Sequence, residues 1–127
     1  MNMKSHWTLA AAAAIALVIA PASTGARERL SLRVTPNVSS APSTVIVKAT
    51  VTPDAGNRWL HIEADSGAFF RSSSIQLEGD KAPSVTEIML KGLPSGEYTV
   101  TALLRDAMGG ETTVRRTAIV LPRFGEP

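Results

Sequence analysis

Val45-Ile46-Val47-Lys48-Ala49-Thr50-Val51 alternates strictly, with Val45, Val47, Ala49 and Val51 on one side and Ile46, Lys48 and Thr50 on the other. Branched apolar residues at period two read as a strand with one face buried against a second layer. The same reading extends outward from this stretch. Toward the N-terminus, Leu30, Leu32 and Val34 alternate with Ser31 and Arg33. Toward the C-terminus, Leu60, Ile62 and Ala64 alternate with His61, Glu63 and Asp65, and Ile75 and Leu77 with Gln76 and Glu78. Ile88 and Leu90 flank Met89, and Tyr98, Val100, Ala102 and Leu104 alternate with Thr99, Thr101 and Leu103. No window beyond residue 26 keeps apolar residues at helical spacing.

Turn-forming residues separate these runs: Thr35-Pro36-Asn37, Ala41-Pro42, Pro53 to Asn57, Asp65-Ser66-Gly67, Gly79-Asp80, Pro94-Ser95-Gly96 and Gly109-Gly110. Each fixes φ, permits positive φ or caps its own backbone. About seven short strands at this spacing predict an all-β, antiparallel two-sheet sandwich over residues 27–123 with a short tail at 124–127. In the last run, Arg116 interrupts the face formed by Val114, Ala118 and Val120. A β-bulge at Arg115-Arg116, turning Val114, Thr117, Ile119 and Leu121 inward, is expected there.

The first 26 residues read differently. Lys4 precedes the apolar run Leu9 to Ala20, which is followed by Pro21 and the small residues Ala22 to Ala26. The run falls short of the roughly 20 apolar residues that span a bilayer. The order of charge, apolar run and small residues predicts a cleaved signal peptide, residues 1–26, cut after Ala26 or alternatively after Ala22. The protein is therefore expected to be exported, periplasmic or extracellular, with no membrane span after cleavage. Cleavage leaves 101 of the 127 residues, one domain by length. Lys4 is the leader's only charged residue, so the remainder holds 12 basic and 11 acidic residues, a net +1. Such a balance predicts no nucleic-acid partner, which would need a basic stripe. With no cysteine, disulfides, thiolate chemistry and lipid attachment after the leader are excluded.

The stretch Gly92-Leu93-Pro94-Ser95-Gly96-Glu97-Tyr98-Thr99-Val100 resembles the corner before a late strand of immunoglobulin-like and fibronectin type III-like domains. There a tyrosine near the strand start bonds back to upstream backbone. The resemblance implies an immunoglobulin-like bacterial β-sandwich whose structural corner is Leu93, Pro94, Gly96 and Tyr98. It also implies a binding, spacing or assembly role.

Candidate chemistry is sparse. His61, Glu63 and Asp65 share one strand face, and a pair of them suits Zn²⁺ or Mn²⁺. His61 is the only histidine after the leader, however, and a solvated strand face accounts for the three. Ser72, Ser73 and Ser74 with His61 and Glu63 or Asp65 hold the ingredients of a catalytic triad, but no nucleophile elbow or oxyanion-hole glycine cluster accompanies them. Asp54, Asn57 and Asp106 fall in loops that could meet, yet they are too few for Ca²⁺ and suit Asx turns. Asn37-Val38-Ser39 is a glycosylation sequon, expected to be fortuitous. No catalytic residue, metal or cofactor is therefore assigned, and the domain is read as not an enzyme.

Trp59, Phe69, Phe70 and Arg71 remain as ligand- or partner-binding candidates, because aromatics and arginine dominate recognition surfaces when exposed. The competing reading places these rings in the core or at its rim. The expectation is an exported, non-enzymatic binding or interaction module for a protein or carbohydrate partner. The alternatives are a structural accessory that pairs an edge strand with another envelope protein, and a metal-binding or enzymatic protein built on His61.

Overall fold

The computed structural model describes residues 29–123. The predicted leader and the tail at 124–127 lie outside them. Eight strands form in order: β1 Leu30–Thr35, β2 Val38–Ser40, β3 Ser43–Val51, β4 Asn57–Asp65, β5 Phe70–Gln76, β6 Val85–Leu93, β7 Gly96–Asp106 and β8 Glu111–Leu121. They make two sheets, β1-β3-β6 and β2-β8-β7-β4-β5. Every pairing is antiparallel except that of β2 with β8. The chain is all-β, as its alternation dictates.

The core fills the space between the sheets. From the smaller sheet come Leu30, Leu32, Val45, Val47, Ala49, Val51, Leu90 and Leu93. From the larger come Leu60, Ile62, Ala64, Tyr98, Val100, Ala102, Leu104, Ala118 and Val120. Their partners at odd period face outward, so the alternation of β3 is complete along its whole length. Removing a fully buried leucine from such a layer costs about 2–5 kcal/mol, the lost transfer energy plus the cavity left behind.

Three details differ from the sequence reading. An eighth strand, β2, sits between the two proline breaks and pairs parallel with β8, three residues being too few to show a period. The chain leaves β1 in one sheet and joins the other at β2, so residues 36–37 are a crossing between sheets rather than a simple turn. The expected bulge at Arg115-Arg116 is absent: β7 and β8 stay in register from Gly96↔Val120 to Arg105↔Glu111. Val114, Ala118 and Val120 keep the inner side, while Ile119 and Leu121 are exposed. Arg116 takes an inner phase yet stays exposed, lining a concavity with Leu32, Arg33 and Val34 of β1, the edge strand of the smaller sheet.

A bulge does occur in β4. Asn57 pairs with Asp106 and Trp59 with Arg105, so Arg58 is the extra residue. Asn57 is buried, Arg58 and Trp59 are both exposed, and Leu60 is buried again. A bulge re-aims a side chain beside it, and here it turns Asn57 inward, while Trp59 keeps the outward phase of His61 and Glu63 and pairs with Arg105.

Candidate functional site

The outer face of the larger sheet is ordered in ranks by its registers. Gln76, Trp59, Arg105 and Glu111 lie side by side across β5, β4, β7 and β8. Ser74, His61, Leu103 and Thr113 form the next rank, and Ser72, Glu63, Thr101 and Arg115 the one after. Strand alternation turns all twelve side chains to the same side.

Trp59, His61, Ser74, Leu103 and Arg105 line a concavity of about 290 Å³ on this face. That is the small end of the range for ligand pockets. His61 is its centre. Nδ1 of His61 lies 2.7 Å from Oγ of Ser74 on β5. On the other side of the ring, Nε2 is 3.7 Å from Oε2 of Glu63, two residues along β4. Arg105 is held by Glu111, whose Oε2 accepts from Nε at 3.0 Å and from Nη2 at 2.6 Å. Among the described residues no acceptor engages its Nη1. A hydroxyl, an imidazole and a carboxylate thus run in a row, with an indole and a guanidinium at one end. Such a set can move a proton from the hydroxyl to the ring and hold a developing negative charge.

The other candidate residues are distributed elsewhere. Phe70 is 55% exposed on the outer face, paired with Asp65 and six residues along β4 from Trp59, about 20 Å away by strand rise. Phe69 packs against the core and meets the Tyr98 ring edge to face, centroids 6.5 Å apart. The Arg71 guanidinium carbon lies 5.2 Å from the centre of the Phe69 ring, and Nη1 donates to Lys91 O of β6 at 2.7 Å. Trp59 is therefore the one residue of that predicted four that joins the concavity. At the corner, Leu93 and Tyr98 are buried, and the Tyr98 hydroxyl donates to Pro94 O at 2.7 Å. Gly96 approaches Ser66 so closely that a Cβ there would stand 3.0 Å from the serine Cβ.

Asp65 leaves the row of acids to cap its own turn, Oδ1 accepting from Gly67 N at 2.8 Å. Asp54, Asn57 and Asp106 do gather at one end of the sandwich, but turn backbone engages them. Asp54 Oδ1 accepts from Gly56 N, and Asp106 Oδ1 from Met108 N and Gly110 N. Asn57 Nδ2 donates to Thr52 O, leaving Oδ1 as the buried side-chain atom without a partner among the described residues.

No protein-family model matches the chain, and no curated protein matches it. Among solved structures it is similar to the superoxide reductase (neelaredoxin) from Ignicoccus hospitalis, with 17% identity over 72% of this chain and 79% of that one, at a TM-score of 0.59. Two variants of that protein match at 19% identity over 72% of this chain and 78% of theirs, with TM-scores of 0.58 and 0.57. A family 76 glycoside hydrolase from a bovine Bacteroides thetaiotaomicron strain matches at 20% identity and a TM-score of 0.50, over 72% of this chain but 20% of that one.

At these identities the likeness is one of fold, and it corrects the sequence reading. The immunoglobulin-like and fibronectin type III-like assignment is overturned, because the neighbours are superoxide reductases. A proline-glycine turn feeding a buried tyrosine solves a local problem of sandwich corners, so the Leu93–Tyr98 string reports a corner and not a family. The expectation of a non-enzymatic binding module, with its structural-accessory alternative, falls with that assignment. So does the reading that the domain is not an enzyme: the neighbours carrying this fold are enzymes.

Proposed function

We propose that this chain is an exported acyl-transfer protein, a hydrolase of small esters, with Ser74 as nucleophile and His61 as general base. The observation that carries the proposal is the 2.7 Å separation of Ser74 Oγ and His61 Nδ1 in the wall of the concavity. A serine hydroxyl attacks poorly until an adjacent base takes its proton. Glu63, beside Nε2, favours the tautomer that carries its hydrogen there, which leaves the Nδ1 lone pair to accept from Ser74. Export rests on the charge, apolar run and small residues of the leader.

The substrate's apolar part lies against Trp59 and Leu103. Ser74 Oγ adds to the ester carbonyl carbon as its proton passes to His61. The carbonyl oxygen becomes negative, and Arg105 is the cation of the concavity toward which it turns. His61 returns the proton to the departing alkoxide. Water, deprotonated by the same ring, then releases the acid and restores Ser74.

Superoxide reduction is a different matter for this chain. It needs an electron from a redox group, and the donors here fit none. The sequence has no cysteine, and among the described residues no three His, Cys, Asp or Glu gather that could hold a metal. His61 and Glu63 supply two donors, while Asp65 is committed to its turn. Proton and acyl transfer is the chemistry this set supports.

The test is turnover of p-nitrophenyl acetate by the purified protein, together with labelling by a fluorophosphonate mapped by mass spectrometry. Turnover about 10²-fold above equimolar imidazole, with the label on Ser74, is expected from general-base assistance. Ser74→Ala and His61→Gln should abolish both signals. Wild-type turnover no faster than imidazole, with no label on Ser74, refutes the proposal.

A further inference from the structure

We propose that the opposite face of the sandwich holds a binding site for an oxyanion of the phosphate or sulfate class, centred on Arg33. The reason lies in the register. Arg33 of β1 stands directly across from Lys48 of β3. Like charges opposite each other on an antiparallel pair destabilise it. The crowding continues on the other side of Arg33, where Arg116 of β8 lines the same concavity. Arg33 thus has a cation on either side, and its strand could have carried a neutral residue at that outward position.

Two shallow concavities meet at this residue. One is lined by Ser31, Leu32, Arg33, Lys48 and Thr50 and the other by Leu32, Arg33, Val34, Asn37, Arg116 and Thr117. Neither lining contains an acid. Glu87 is the nearest acid by register, opposite Lys48 on β6, yet no ion pair among the described residues engages Arg33, Lys48 or Arg116. Arg116 instead donates from Nη1 to the neighbouring Arg115 carbonyl.

Cationic groups around a pocket ringed by hydroxyl and amide donors match a tetrahedral oxyanion. Arginine's planar fork takes two of its oxygens at once, and lysine adds a point charge. The donors come from two sheets, Arg33 and Lys48 from one and Arg116 from the other. A bound anion would therefore bridge the seam where β1 passes β8. Such a ligand removes the repulsion that the register builds in, and a singly charged halide of no fixed shape does so less well.

Thermal melts of the full chain in inorganic phosphate and in chloride, at one ionic strength, test the site. Phosphate should raise the wild-type melting temperature by about 4 °C or more above chloride, since a ligand that binds the folded state stabilises it. Arg33→Gln should abolish that difference while melting higher than wild type in dilute chloride, because the like-charge pair is gone. A variant that merely lost a structural arginine would melt lower. Arg33→Lys should keep part of the phosphate effect. Sedimentation with phosphatidylglycerol vesicles separates the sources: Arg33-dependent capture assigns the oxyanion to a lipid headgroup, and phosphate binding without capture assigns it to a free ion. Equal melting in phosphate and chloride, or a phosphate effect that survives Arg33→Gln, overturns the proposal.

Discussion

Nη1 of Arg71 on β5 donates to the carbonyl oxygen of Lys91 on β6 at 2.7 Å, tying the free edge of the larger sheet to the free edge of the smaller one. The same guanidinium lies over the ring of Phe69, which packs in turn on Tyr98. The open side of the sandwich is therefore closed by a side chain rather than by a strand. Arg71→Met keeps much of the apolar stem but removes the donor, and should cost about 1 kcal/mol in a urea melt, the bond being exposed. A variant as stable as the wild type would show that the edges hold together without it.

The Tyr98 hydroxyl reaches Pro94 O from a ring with no exposed surface. Tyr98→Phe leaves a part-buried carbonyl without its donor and is expected to cost about 1–3 kcal/mol. Urea denaturation followed by circular dichroism measures it, and a cost within error would mean that water replaces the hydroxyl.

Much of this arrangement was legible in the chain. The alternation from Val45 to Val51 gives both faces of β3, and Leu60, Ile62 and Ala64 give the inner face of β4, because burial on one side leaves a period of two. What periodicity does not carry is which strands lie side by side. His61 and Ser74 are 13 residues apart, and their pairing follows only when the connection at residues 66–69 sets Asp65 opposite Phe70. The signal was in that loop: a short turn closed at Asp65 and Phe70 brings Ser74, not Ser72 or Ser73, beside the ring. Arg33 and Lys48 had no such signal, since the chain between them passes through the other sheet at β2. The outward turn of Trp59 follows from its alternation with Leu60 and Ile62, whereas the inward turn of Asn57 depends on the bulge at Arg58, which no alternation announces.

Gly79 and Gly67 both have positive φ, at 62° and 87°, but only one is crowded. A Cβ on Gly79 would stand 2.8 Å from Ala55 O, whereas one on Gly67 would meet nothing within 4 Å. Gly67→Ala should therefore cost only the left-handed backbone, about 1–2 kcal/mol. Gly79→Ala should cost clearly more, because backbone must also shift. Melts of the two variants side by side check the order, and equal losses would mean that the turn around Ala55 yields freely.

Trp59 separates stability from turnover most cleanly. It is 43% exposed, while its neighbour Leu60 is fully buried. Leu60→Ala should lose about 2–5 kcal/mol. Trp59→Ala should lose much less, because its ring covers the outer face of the sheet rather than filling the core. If Trp59 forms the apolar wall for the ester, its truncation raises KM for p-nitrophenyl esters and leaves the Ser74–His61 chemistry in place, so kcat falls little. If the indole N–H also faces the developing oxyanion, Trp59→Phe keeps the wall and loses the donor, and the loss then appears in kcat. A contribution only to ground-state binding and one made only in the transition state divide between KM and kcat in this way. Steady-state kinetics of the two variants, read beside their melts, therefore assign the ring one role, and unchanged kinetics in both would remove Trp59 from the site.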